Sequence, residues 1–270
     1  MVDLGLDSSK PFLVIGRAGM DLYPTPINMK TADATEFVSA LGGSSANIAV
    51  ALCRLGQRAS LVTCISDDAI GSFVENQLKH YGVDSRFLRK VNGDCRASLA
   101  IVESRVEDHQ SVIYRNNAAD FQMDQGDFVS IKMSEFSAMI ITGTCLTSNP
   151  SRQATLGALA LAKQSGLLTI MGLDYRPYSW ETESQASEVY NEAVDLVDVV
   201  VGNDEEFGHM AGGLNFGEGF ARSLASLGKL AIYKMGGRGS RAFLGDEIIS
   251  TDVFPVTPIK PTGAGDAFLG

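Results

Sequence analysis

Positive charge is in short supply: 22 lysines and arginines face 32 aspartates and glutamates, giving a formal net charge of −10 at pH 7. The basic residues are scattered rather than gathered, which argues against a nucleic-acid-binding surface or an anionic-membrane patch. An anionic small molecule stays compatible, because a pocket needs only a few placed arginines. Cysteine is sparse as well. Cys53, Cys64, Cys95 and Cys145 lie far apart with no CxxC pair, so zinc-ligand and thioredoxin-type spacings are missing and reduced, mostly buried thiols are expected. No apolar run has bilayer length, and residues 1–10 carry acidic groups without the apolar stretch of a signal peptide. A cytoplasmic protein with no membrane or nucleic-acid partner is the expectation. Low-complexity segments, coiled-coil heptads and internal repeats are absent, which excludes a solenoid. Two common nucleotide signatures also fail: there is no GxxxxGK[ST] loop, and Gly16-Arg17-Ala18-Gly19 lacks the GxGxxG spacing.

What the chain does have is core material. Of its 270 residues 45% are hydrophobic, enough for one large α/β domain with at most a small accessory piece. From Phe12 onward short apolar runs alternate with amphipathic stretches, the pattern of βα units around a mainly parallel sheet in a three-layer α/β/α fold. Strands are expected at 12–15, 60–64, 139–142, 168–173, 197–201 and 230–234. Helices are expected at 44–55, 71–81, 151–164, 183–196, 204–210 and 216–226, several opened by a Ser, Asp or Asn cap and closed by Gly56, Gly82 or Gly166. Two regions break the alternation: 22–37, with Pro24 and Pro26, and 95–115, where 97–102 and 111–114 read as paired strands around a polar turn at 103–110. Carrying no helix, they should form a small protruding β-sheet.

The chemistry concentrates in glycine-rich turns. Pro261-Thr262-Gly263-Ala264-Gly265-Asp266-Ala267-Phe268 runs straight into an apolar, helix-like segment. Gly263 and Gly265 allow backbone N–H groups to converge on negative charge developing at a phosphoryl group, and Asp266 could accept a hydroxyl proton there. An ordinary Gly-rich turn capped by Asp would read the same way. Near the other end, Leu41-Gly42-Gly43-Ser44-Ser45-Ala46-Asn47 offers bare backbone and an amide to a polyol; alternatively it is a loop built for close helix packing.

Together these segments resemble the two signatures of the ribokinase-like (PfkB) carbohydrate kinases. The resemblance runs from Phe12 to the last residue and keeps order and distance: Asp21 in Gly-Arg-Ala-Gly-Met-Asp, the Gly-Gly-x-x-x-Asn helix start, Asn203-Asp204-Glu205-Glu206 after a strand, Gly236-Gly237-Arg238-Gly239-Ser240, and Gly-Ala-Gly-Asp. It implies Asp266 as catalytic base with Gly263, Ala264 and Gly265 as the anion hole. It further implies Asp21, Gly42, Gly43 and Asn47 on substrate hydroxyls, and Lys234, Gly236, Gly237 and Gly239 with Asn203 and Glu206 at the ATP site. Asn203 and Glu206 would serve Mg²⁺ through water. Without it, Glu205 and Glu206 read as a solvated helix start and 236–240 as a hairpin turn. The implied cofactors are ATP and Mg²⁺, with a monovalent cation such as K⁺ left open, and a homodimer paired through the β-lid is allowed.

Two arginines narrow the substrate. Arg115 lies in Tyr114-Arg115-Asn116-Asn117-Ala118-Ala119-Asp120 and Arg176 in Asp174-Tyr175-Arg176-Pro177-Tyr178-Ser179-Trp180. A planar guanidinium fork suits a carboxylate, whereas a neutral sugar has no need of one; an interstrand or surface salt bridge is the plainer alternative. Both runs, with Thr142-Gly143-Thr144, resemble those of members acting on keto-sugar acids, especially the 5-dehydro-2-deoxygluconokinases of inositol breakdown. The resemblance therefore implies phosphorylation of the terminal hydroxyl of 5-dehydro-2-deoxy-D-gluconate, with Arg115 and Arg176 converging on its carboxylate. Fructose and 2-keto-3-deoxygluconate are the alternatives within the family. Because members continue past Gly-Ala-Gly-Asp whereas this chain stops at Gly270, a single kinase domain over 1–270, shortened at its C-terminus, is expected. A silent sugar-acid-binding protein is the different-class alternative, and a nucleotide-dependent oxidoreductase is disfavoured by the missing dinucleotide fingerprint.

Overall fold

A computed structural model describes residues 4–105, 108, 110–256 and 262–270 of the chain, which divides into two compact units. One comprises residues 11–127 and 256–270, the other 1–10 and 128–255. Pro261 and part of the turn at 103–110 lie outside the described residues.

The first unit contains strands β1 (Phe12–Ile15), β2 (Gly19–Thr25) and β3 (Glu36–Gly42), helix α1 (Ser44–Arg54), β4 (Ala59–Ser66), α2 (Ala69–His80), β5 (Leu88–Val91), β6 (Ser98–Val102) and β7 (Ser111–Tyr114). β1, β4 and β5 run parallel, β4 at the centre and buried along its whole length. A parallel strand covered on both faces is buried throughout, and the hydroxyls that β4 buries with it find partners, Ser60 Oγ donating to Asp84 Oδ2 at 2.9 Å and Ser66 Oγ to Asp68 Oδ1 at 2.8 Å. The lid is a separate four-stranded sheet in the order β3-β2-β6-β7. β2 and β3 reach beyond the expected bounds, starting at Gly19 and ending at Gly42, and a 3-10 turn at Thr31–Asp33 bridges them. Glu103, almost fully buried, fastens this turn to the β6–β7 connection by accepting from the Thr31 N–H at 2.7 Å and the Gln110 N–H at 3.2 Å. These bonds hold its carboxyl below the usual range.

The second unit continues with β8 (Ala138–Thr142), α3 (Ser151–Gln164), β9 (Leu168–Gly172), α4 (Glu183–Leu196), β10 (Val199–Asn203), α5 (Asp204–Met210), α6 (Gly217–Ser226), β11 (Leu230–Lys234), β12 (Ser240–Leu244) and β13 (Glu247–Thr251). β8, β9, β10 and β11 are parallel neighbours, and an antiparallel hairpin, β12 and β13, completes the edge. Met139, Ile141, Met171, Val200 and Phe207 are fully buried or nearly so. Each such side chain stabilises the fold by about 1.5–3 kcal/mol relative to exposure. The last helix, α7 (Ala264–Leu269), belongs to the first unit, where it packs on α1.

The α/β class with its mostly parallel strands and small second sheet is as expected, and most boundaries fall within two residues. α2 starts at Ala69 rather than 71 because Asp68 is its cap, its Oδ1 accepting from the Ile70 and Gly71 N–H groups at 2.9 Å each. The expected strand at 197–201 is shifted to Val199–Asn203. β5, β12 and β13 were not anticipated: they are edge or hairpin strands with mixed polar sequence. All four cysteines are free thiols, but only Cys64 and Cys145 are buried, Cys53 and Cys95 being half-buried. Among the described residues no helix is long and apolar enough to cross a membrane.

Candidate active site

In the first unit, a buried Asp21 on β2 meets the start of α1. A Cβ on Gly42 would lie 1.9 Å from Asp21 Oδ1, so only glycine leaves room for this carboxylate. Gly43 adopts φ 99°, and its missing Cβ would fall 2.4 Å from the Arg17 carbonyl oxygen. The paired glycines thus let the β1–β2 connection, the carboxylate and the helix start close on one another. Tyr23 donates its hydroxyl to Asp21 Oδ2 at 3.2 Å. Burial, reinforced by the Asp21 charge, pushes the Tyr23 phenol far above its ordinary range and keeps it a donor.

One turn into α1, Asn47 donates Nδ2–H to Asp266 Oδ2 at 2.8 Å. Asp266 is half-buried in α7, which follows Gly263 in the left-handed conformation at φ 82°. Ala264 and Gly265 are exposed beside it. Asp21, Tyr23, Asn47, Arg54, Thr262 and Gly263 line one groove of about 510 Å³. The structure therefore unites Asp21, Gly42, Gly43, Asn47 and Asp266 within one unit, as the motifs anticipate. Arg115, in the same unit, is nearly buried: its guanidinium closes on Asp120 and lies 4.3 Å from the centre of the Phe121 ring.

The second unit holds the remaining candidates. Asn203 and Glu206 form a reciprocal capping box at the start of α5, Glu206 Oε2 accepting from the Asn203 N–H at 2.8 Å and Asn203 Oδ1 from the Glu206 N–H at 2.7 Å. Glu206 is only 8% exposed, whereas Glu205 is exposed; the solvated-start reading fits Glu205 alone. Burial pushes the Glu206 carboxyl up from its ordinary value and the Asp174 charge adds to this, while the Asn203 N–H, Lys234 and Arg176 oppose it. Lys234 is the register partner of Asn203 across β10 and β11. The following turn, Gly236–Arg238, is the hairpin bend into β12 and is tied to α5 by Arg238 Nη2, 2.6 Å from Asp204 Oδ2. The hairpin reading of 236–240 thus describes its backbone and leaves its ligand role open.

Arg176, with its side chain 45% exposed, pairs with Asp174 Oδ1 at 2.6 Å. Asp174 stands at φ 42°, rarely adopted outside glycine, so the chain turns sharply after β9. Tyr190 of α4, fully buried, supports this turn by donating its hydroxyl to the Leu173 carbonyl at 2.8 Å. A Cβ on Gly143 would come within 2.1 Å of that hydroxyl and 2.2 Å of that carbonyl, which explains the glycine of the Thr142-Gly143-Thr144 run. Trp180 extends the support, its ring 5.7 Å from Tyr190 and under the Arg152 guanidinium at 5.5 Å. Sequence reading gave no role to Tyr190, Tyr23 or Arg17. Arg17 lies inside the quoted Gly-Arg-Ala-Gly-Met-Asp run, but a lone arginine there carries no periodic or spacing signal.

The pattern of the pfkB family of carbohydrate kinases matches residues 10–270. The chain is 36% identical over 278 residues to the 5-dehydro-2-deoxygluconokinase of Photobacterium profundum, covering 100% of this chain and 84% of the relative. It is 35% identical over 260 residues to that of Clostridium perfringens, covering 94% and 77%. Among solved structures, the fructokinase of Vibrio cholerae bound to fructose, ADP and calcium ion superposes with a TM-score of 0.84 at 24% identity, over 97% of this chain and 82% of that one. The aminoimidazole riboside kinase of Salmonella enterica gives 0.81 at 23%, over 96% and 82%. At these identities the structures speak for the fold; the family pattern and the curated relatives carry the assignment. The chain belongs to the pfkB family of carbohydrate kinases.

Proposed function

We propose that the chain transfers the γ-phosphoryl group of ATP to the terminal hydroxyl of a keto-sugar acid, 5-dehydro-2-deoxy-D-gluconate, the compound in the name its curated relatives bear. The observation that carries the reading is the hydrogen bond from Asn47, which lines one groove with Asp21, to Asp266. Asp21 accepts from acceptor hydroxyls and orients the sugar. The reacting hydroxyl oxygen attacks the γ-phosphorus, an O–P bond forms as the bridging P–O bond to ADP breaks, and the hydroxyl proton passes to Asp266. Asn47 holds one oxygen of that carboxylate and fixes its orientation. The backbone N–H groups of Gly263, Ala264 and Gly265 serve the charge developing on the transferred group.

Lys234, Gly236, Gly237 and Gly239 serve the nucleotide. Asn203 and Glu206 would serve Mg²⁺ through water, the buried Glu206 carboxylate beside Asp174 gaining from a cation. When bound, the ion supplies charge neutralisation to the phosphates. Of the two arginines assigned to the substrate carboxylate, half-exposed Arg176 is the more accessible, while Arg115 is largely committed to Asp120. The test is ADP release with 5-dehydro-2-deoxy-D-gluconate, 2-keto-3-deoxygluconate and fructose. Preference for fructose replaces this reading with a fructokinase.

The lid supports the homodimer. Leu22, Ile101 and Val112 are in direct register across β2, β6 and β7, and Phe37, Val112 and Tyr114 are exposed. Exposed edges of this kind gain from a covering partner. Sedimentation of the chain at micromolar concentration as a monomer would count against pairing.

A further inference from the structure

A guanidinium drawn out of water is expensive to keep unless something needs its charge. Arg17, in the short connection between β1 and β2, is 8% exposed. Its backbone is fixed where its carbonyl accepts from the Ala46 N–H at 3.2 Å, against the bare face of Gly43. Its side chain is aimed by Nε–H donating to Ser98 Oγ at 2.9 Å, Ser98 being fully buried at the start of β6. Nη2 then stands 4.0 Å from Asp21 Oδ1, the same oxygen that rests over Gly42.

Within the acceptor region, a group that only donates therefore lies alongside a group that only accepts. Hydroxyls satisfy Asp21; a neutral sugar presents nothing that requires the cation. A purely structural Arg17 would neutralise Asp21 and steady β2, and would matter equally for every acceptor. We propose that Arg17 is a specificity-determining residue, its guanidinium reading the carboxylate of the sugar acid while Asp21 takes a hydroxyl of the same molecule. The proposal rests on the sugar-acid reading above and adds a carboxylate partner to it.

The decisive quantity is the ratio of kcat/KM for the keto-sugar acid to that for fructose, measured in wild type, Arg17→Met and Arg17→Lys, with Tm recorded for each. Arg17→Met should lower the acid value about a hundredfold more than the fructose value, and Lys should restore part of the difference because it keeps the charge without the fork. If Arg17→Met does not fold, Ser98→Ala keeps the charge and removes its aim, and should raise KM for the acid more than for fructose. Parallel losses on both acceptors, or an unchanged ratio, overturn the role of Arg17. A wild type indifferent to the carboxylate removes the substrate reading and this role together; a wild-type preference that Arg17→Met retains removes Arg17 alone.

Discussion

Asn47 and Asp266 are joined by a 2.8 Å hydrogen bond across 219 residues of sequence, linking the start of α1 to the last helix. The amide donates and the carboxylate accepts, so the proton acceptor of the proposed reaction is oriented before any substrate arrives. Replacing Asp266 by Asn keeps the shape but removes the basic oxygen. Asp266→Asn should bind ATP and sugar acid nearly as wild type, yet turn over at least about a hundredfold more slowly. Titration calorimetry beside steady-state rates will decide this, and turnover close to wild type takes Asp266 out of the mechanism.

Glu206 ties function to stability. Its carboxyl is held above the ordinary 4.5 by burial and by Asp174, so the folded state takes up its proton more readily than the unfolded one. The stability this group contributes is complete below about pH 4.5 and is lost as pH rises through the folded value. Glu206→Gln keeps an acceptor for the Asn203 N–H but cannot ionise. Its Tm should exceed that of wild type at neutral pH, the advantage shrinking towards acid, while the magnesium concentration needed for half-maximal rate rises. An unchanged magnesium titration would remove Glu206 from the metal site.

The two arginines of the carboxylate reading should separate by readout. Arg176→Ala should cost about 2–4 kcal/mol in kcat/KM for the keto-sugar acid with little effect on fructose or on Tm. Arg115→Ala should act on stability as well, because it strands the buried Asp120; breaking such a pair costs about 3–5 kcal/mol. Adding Asp120→Asn should return part of the lost Tm. Equal thermal effects in the two single variants would contradict this division.

Gly143 gives a test of the turn that carries Arg176. Gly143→Ala places a methyl group where the Tyr190 hydroxyl and the Leu173 carbonyl already sit, and overpacking of this kind costs about 1–3 kcal/mol. Denaturant melts should register the loss, with Tyr190→Phe milder, near 1 kcal/mol, for one buried hydrogen bond. A Gly143→Ala protein as stable as wild type would mean that the turn yields easily.

How much of this was legible in the sequence depends on range. α3, α4 and α5 were placed to the residue because apolar period is a local signal, reinforced in α4 and α5 by the side-chain caps of Thr182 and Asn203. β5, with Arg89 and Lys90 at its centre, and the β12–β13 hairpin were missed because edge strands tolerate charge and show no clean alternation. The glycine motifs announced Asp21, Asn47 and Asp266. They could not announce that Arg115 closes on Asp120, that Tyr190 fills the space above Gly143, or that Arg17 lies beside Asp21, since each is a tertiary contact without a spacing rule.

Trp180 is the only tryptophan in the chain, and it meets Tyr190 edge-on just after the segment bearing Arg176. Its fluorescence is therefore a single-site signal: emission wavelength and quenching report one indole, at one loop, with no background to subtract. The protein carries its own optical gauge of that loop, readable during a ligand titration without a label or a coupled assay.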